Sequence, residues 1–174
     1  VCSRLGVGSL PSPVSRLIRE KAEGHHFFSE ELAYALRDAG LITFQGGECR
    51  IAPNVDFKTV SVPDTVQGVI TSRIDRLPPA YRVTLKAASV VGRVFAFRLL
   101  SDIHPLENEQ SQLPNYLAEL QHPDLTLLDT PEPDLAYLFK HAITQEVAYN
   151  LMLFAQRRDL HRAVAEWYER IYAE

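Results

Sequence analysis

One stretch of the chain decides its fold, and it runs from Leu77 to Phe139 as LPPAYRVTLKAASVVGRVFAFRLLSDIHPLENEQSQLPNYLAELQHPDLTLLDTPEPDLAYLF. It holds three segments with apolar residues at helical spacing, followed by two β-like runs at Leu125–Leu128 and Ala136–Phe139. The intervening segment Asp129–Asp134 is rich in proline and acidic residues, which is typical of a turn. Three helices followed by a two-stranded wing are the order of a winged helix-turn-helix.

The helices of this stretch have recognisable starts and stops. Pro78-Pro79 ends one helix and begins the next, which continues to Gly92. We predict two further helices, over Phe95–Ile103 and over Asn108–Gln121.

The residues before this stretch predict a small helical bundle with a β-hairpin. Ser12 is the expected N-cap of a first helix, and Gly40 is the expected stop of a second. Two short runs around Gly46-Gly47 predict the hairpin, and Asp64 is the expected cap of a third helix.

The residues after Phe139 predict a pair of helices. Ile143, Val147, Leu151 and Phe154 mark the first, and the second contains Leu160 and further apolar residues at helical spacing. The predicted fold class is therefore mainly α: a helical bundle with a hairpin, a winged helix, and a C-terminal helical pair.

Composition excludes several classes of function. The 174 residues are 46% hydrophobic with a net charge of -4, which fits a globular protein and disfavours a general nucleic-acid or membrane-surface binder. No apolar run approaches the roughly 18 residues that cross a bilayer. Cys2 and Cys49 form neither a disulfide framework nor a C-x-x-C pair, so we expect a reducing, cytoplasmic setting without a signal peptide.

Charge also bears on whether the winged helix reads DNA. From Leu99 to Phe139 there is no lysine or arginine, against eight acidic residues. DNA affinity depends largely on cations that neutralise phosphates, so this surface is expected to repel a duplex. The sequence favours a winged helix that packs against protein.

No motif of a catalytic or metal site is present. The chain lacks the P-loop, the G-x-G-x-x-G and G-x-S-x-G patterns, and H-E-x-x-H. His25 and His26 are adjacent and would point about 100° apart on a helix. We therefore predict neither catalytic residues nor metal ligands.

Three strings in series carry a family resemblance. They are KAEGHHFFSEEL at residues 21–32, VPDTVQGVI at 62–70 with RIDRLP at 73–78, and FKHAITQEVAY at 139–149. Their order resembles the C-terminal half of the ATPase module in STAND-type signalling proteins, which are AAA+-related switches. The nearest set resembles the modules of multidomain adenylate/guanylate cyclase-like proteins, and bacterial kinases carry similar ones.

The resemblance implies an architecture and a role. Residues 1–62 would be the helical lid, 63–140 the winged helix, and 141–174 a helical pair leading toward a following region. The P-loop core is missing, so the chain would be a non-catalytic regulatory fragment that begins within a longer protein. The parent would bind ATP or ADP with Mg, the isolated chain none. The implied partners are an upstream P-loop domain and a cyclase or kinase effector, without nucleic acid or membrane.

The resemblance also points to three nucleotide-binding residues. Family lids read Gly-Asn-Pro near the adenine; here Gly24 matches, and His25-His26 replaces Asn-Pro. His26 would then stack on the purine, or else simply face solvent. His141 resembles the histidine of the Met-His-Asp motif in related NB-ARC switches, which reaches the β-phosphate of ADP.

Alternatives remain open at this point. Lys140 and Ala142 replace the Met and Asp of that motif, so His141 could instead cap its helix. At the level of the protein, the alternatives are a DNA-binding transcriptional regulator and a protein-interaction scaffold that uses no nucleotide.

Overall fold

The computed structural model describes residues 2–57 and 59–173. Within these residues the fold is mainly α-helical with two small antiparallel sheets, which confirms the predicted fold class. The chain divides into two compact units between Arg76 and Leu77. The predicted division after residue 62 lies earlier, because the helix that follows it packs within the first unit.

The first unit is a helical bundle with one hairpin. Val14 of α2 and Leu32 of α3 have no exposed surface and lie at the centre of its core, which explains why the two helices pack face to face. Its elements are α1 (Cys2–Leu5), α2 (Ser12–Ala22), α3 (His26–Asp38), β1 (Ile42–Gln45), β2 (Glu48–Ile51) and α4 (Val66–Asp75).

Two predicted helix caps of this unit are wrong. Pro11 occupies the N-cap of α2, and Ser12 is already the first helical residue. At α4 the cap is Thr65, whose hydroxyl oxygen accepts a hydrogen bond from the backbone N–H of Gly68 at 3.1 Å. Asp64 instead forms an ion pair with Lys21, a partner that local sequence does not reveal.

A buried ionic cluster joins α3 to α4. The guanidinium of Arg73 donates to the carboxylates of Glu31 and Asp38, with a distance of 2.9 Å to Asp38. The side chains of Arg73 and Glu31 are only 1% and 2% exposed. Burial alone would lower the pKa of Arg73, but the two carboxylates outweigh it and hold that pKa above its ordinary value. Each charge in this cluster is therefore compensated.

The second unit is a winged helix followed by two helices. The three-stranded sheet has the order β3-β5-β4 with antiparallel pairing throughout. Its elements are α5 (Pro79–Val91), β3 (Val94–Ala96), α6 (Phe97–Ile103), a 3-10 helix (Glu107–Gln112), α7 (Leu113–Gln121), β4 (Thr126–Thr130), β5 (Ala136–Phe139), α8 (Ala142–Asn150) and α9 (Phe154–Tyr172).

Two predicted helices of this unit begin later than expected. Phe95 lies in strand β3, where it pairs with Tyr137 and its ring stacks on that tyrosine with centroids 6.0 Å apart. The predicted helix Asn108–Gln121 becomes α-helical only at Leu113, because Pro114 lacks the N–H that would continue the helix across this point.

The C-terminal helical pair belongs to the second unit. Leu160 of α9 is buried, and the indole N–H of Trp167 donates to Asp102 of α6 at 2.8 Å. Phe154 was expected on the helix before α9, but it is the first residue of α9 and is 77% exposed.

None of the helices in the described ranges is both long and apolar enough to cross a membrane.

Arg73→Met tests the ionic cluster. The substitution leaves the buried carboxylate of Glu31 without its cation, so we expect the free energy of unfolding of the first unit to fall by about 3–5 kcal/mol. Urea unfolding followed by circular dichroism measures this change.

Arg76→Met is the matched control. Arg76, the C-cap residue of α4, is exposed and bonds to Ser72 of that helix, so we expect a change within about 0.5 kcal/mol. Equal effects of the two variants would contradict the assigned role of the cluster.

Candidate functional site

A tight turn joins α2 to α3 and contains Gly24. Glu23 and Gly24 both have positive φ angles, of 48° and 85°, which reverse the chain after α2. His25 is the N-cap of α3, where its Nδ1 accepts from the N–H of Phe28 at 3.3 Å. His25 thus caps α3 through its own side chain.

Gly24 also lines a small cleft of the first unit. The cleft has a volume of ≈ 240 Å³, and Arg19 and Ser29 line it as well. Arg19 gives the cleft a cationic wall. A planar polar group could approach the backbone here because Gly24 has no side chain.

His26 is the first residue of α3 and points outward. Its side chain is 71% exposed, and its Nδ1 lies 3.5 Å from a carboxylate oxygen of Glu30, which is 5% exposed. This arrangement orients the imidazole by one nitrogen and leaves ring surface accessible to solvent. An imidazole presented in this way can stack on a planar group or donate a hydrogen bond.

His141 lies between strand β5 and helix α8. It is the N-cap residue of α8, with an extended backbone (φ -128°, ψ 138°), and it is half-buried. His141 thus occupies the N-cap position that the helix-capping alternative expects, although no capping hydrogen bond from its ring to the first turn of α8 is seen among the described atoms. Lys140 beside it donates to Asp124 at 2.8 Å.

The three residues fall in different units. Gly24 and His26 lie side by side in the first unit, and His141 lies in the second. Neither unit contains, in its described residues, a glycine-rich phosphate loop that would hold a nucleotide alone.

The exposed surface of helix α7 and of the wing is anionic. Glu119 is exposed on α7, and Asp129, Glu132 and Asp134 are exposed on the wing. Lys140 is the first lysine or arginine after Leu99–Phe139. It forms an ion pair with Asp124, which compensates its charge. A DNA phosphate would meet negative charge here.

Metal binding and thiol reactivity depend on where the His, Cys, Asp and Glu side chains lie. Over residues 2–57 and 59–173, no group of three or more His, Cys, Asp or Glu side chains is placed to hold a metal ion. Burial, and to a lesser extent Cys2, raises the pKa of the Cys49 thiol, which keeps it in the less reactive protonated form.

A buried polar chain around His104 escaped the sequence analysis. The N–H of Leu106 donates to Nδ1 of His104 at 3.3 Å, and Nε2 lies 2.9 Å from the hydroxyl of Thr84. Thr84 in turn donates to the carbonyl of Ala80 at 2.9 Å. These contacts require the neutral tautomer with its proton on Nε2. Residues 84 and 104 are 20 positions apart, so no local sequence pattern predicts their contact.

Comparison with known proteins gives one partial match. Residues 1–50 match a family described as a domain of unknown function, DUF8739. This covers 50 of 174 residues, all in the first unit, and the description names no activity. No curated protein and no solved structure matches the chain.

Acid should destabilise the second unit through His104. Burial lowers the pKa of this imidazole and outweighs the opposing effect of the Glu109 carboxylate. Below about pH 6.5 the unfolded chain therefore binds a proton that the folded chain resists, and stability falls as pH falls, by at most about 1.4 kcal/mol per pH unit.

Urea unfolding from pH 7.5 to pH 5 measures this dependence. We expect His104→Gln to flatten the acid slope, whereas His122→Gln, at a side chain that is 78% exposed, should leave it unchanged. An unaltered slope in His104→Gln would contradict the assignment.

Proposed function

We propose that this chain is the regulatory, non-catalytic lid and winged helix of a nucleotide-dependent signalling switch of the STAND type. The observation that carries the proposal is a winged helix whose exposed helix and wing bear acids and no lysine or arginine from Leu99 to Phe139. Such a surface suits a partner protein better than DNA. The choice of a STAND-type switch, rather than another protein with a winged helix, rests on the family resemblance.

The nucleotide would be ATP or ADP with Mg, held chiefly by a P-loop domain upstream. When bound, it supplies a polyphosphate anion and a planar purine. Gly24 and His26 would contact the purine side, and His141 would donate a hydrogen bond to a phosphate oxygen. An imidazole next to the N-terminus of a nine-residue helix is a reasonable donor to an anion.

Switching would follow from unequal contacts in two states. A ligand shifts a conformational equilibrium only by its difference in affinity for the two conformations. If His141 contacts the phosphate only when the winged helix is docked, ADP stabilises the docked state. Undocking would then release the effector, of which a cyclase or kinase domain is the expected kind, in the cytoplasm.

His141→Ala tests this role in the full-length protein with its natural upstream region. Loss of one charge-assisted hydrogen bond should weaken ADP retention about tenfold, equivalent to about 1.4 kcal/mol. The measurement is the dissociation rate of a fluorescent ADP analogue, chased with excess ADP.

Two further variants make the result specific. His122→Ala removes an exposed histidine from the same winged helix and should leave ADP release unchanged. His141→Gln keeps an N–H donor and should restore part of the retention. Unchanged ADP release in His141→Ala would refute the role of this residue, and a full-length protein without a P-loop lysine would favour the scaffold without nucleotide.

The DNA-binding alternative predicts that the chain binds duplex DNA, whereas its surface charges predict that it does not. We expect no shift of a random 30-base-pair duplex in an electrophoretic assay at low salt, because anionic protein surface and phosphate repel each other. Binding that weakens steeply with added salt would instead support a transcriptional regulator.

A further inference from the structure

Helix α9 carries a second face that is exposed along its length, although Tyr149 of α8 reaches it at His161, where the tyrosine hydroxyl and the imidazole Nε2 are 3.0 Å apart. Six of its residues follow one another at alternating spacings of four and three, which puts them on one stripe of a helix. All six are exposed. This outer stripe consists of Phe154, Arg158, His161, Ala165, Tyr168 and Tyr172.

The outer stripe is aromatic at both ends. Phe154 is 77% exposed at the start of the helix, and Tyr172 is 72% exposed at its end. The rings of Tyr168 and Tyr172 stack with centroids 6.1 Å apart, so they form one continuous aromatic surface. Three large aromatic side chains exposed on one face of a helix, Phe154, Tyr168 and Tyr172, indicate a site of association.

Unpaired charges run beside the outer stripe. Arg162 lies in the first half of α9, and Glu166 and Glu169 lie in the second half; all three are exposed. None of the three makes an ion pair within the described residues, unlike Arg158 with Asp159. The flank of the stripe is thus positive toward one end and negative toward the other.

We propose that the outer stripe binds the outer stripe of a second copy of this chain, with the two helices antiparallel. Antiparallel pairing about the helix centre sets Phe154 of each copy near Tyr172 of the other. It also brings Arg162 of each copy toward the glutamates of the other, and the two-fold axis makes this contact twice. In a parallel pair this flank would instead face the opposite flank of the partner helix, which holds Val164 and Ile171 and no acidic residue, so charge favours the antiparallel arrangement.

The expected dimer is weak. Nineteen helical residues span about 28 Å, and a single helix pair of that length lies at the small end of stable interfaces. Association should therefore depend on concentration. The apparent mass should rise from 19.6 kDa toward twice that value as the chain is concentrated.

Sedimentation equilibrium of the chain with two complementary variants tests the proposal. In Arg162→Glu the new carboxylate would face Glu166 and Glu169 of the other copy, so this variant should stay monomeric. The double variant Glu166→Arg/Glu169→Arg should also stay monomeric, because its new arginines would face Arg162. Mixed in equal amounts, the two variants regain both contacts, and the apparent mass should double again.

The control is Leu128→Gln, which changes an exposed apolar residue outside α9 and should dimerise like the original chain. Circular dichroism of each variant checks that α9 still folds. The proposal is overturned if the original chain remains at 19.6 kDa at every concentration, if the mixture stays monomeric, or if the control dissociates equally.

Discussion

Strand β5 is the constraint on which the winged helix depends. Its residues pair with β3 on one side and with β4 on the other, whereas a two-stranded hairpin alone is only marginally stable in water. Phe139 ends the strand fully buried, with its ring centroid 5.5 Å from that of Phe95. His141 follows two residues later as the N-cap of α8. The position of β5 in the sheet therefore fixes where helix α8 starts.

The first unit is organised by charge as well as by apolar packing. Arg73 lies between Glu31 and Asp38, and its guanidinium carbon is 5.2 Å from the ring centroid of Tyr34. A buried ionic cluster adds little net stability over an apolar one, but it accepts only the arrangement that satisfies every charge. We infer that Arg73 selects one orientation of α4 against α3, where apolar contacts alone would tolerate several.

Local sequence predicted the elements whose causes are local. Proline pairs and apolar spacing indicated most helices, and Gly46-Gly47 indicated the hairpin. Strand β3 was missed because Phe95 gains its strand pairing from Tyr137, far along the chain. Asp64 was wrongly predicted to be a helix cap, because its true partner Lys21 lies 43 residues away and local sequence does not reveal it. Gly24, His26 and His141 came from family resemblance alone, since neither composition nor spacing distinguishes them from surface residues.

The docking of α9 on α6 has a practical consequence. Trp167 is the single tryptophan of the chain, and its indole donates to Asp102, which also accepts from Arg170 at 3.0 Å. Indole emission responds to the polarity around the ring. The protein therefore carries an intrinsic fluorescent probe. The wavelength of its emission maximum would report the separation of α9 from α6 without any attached dye.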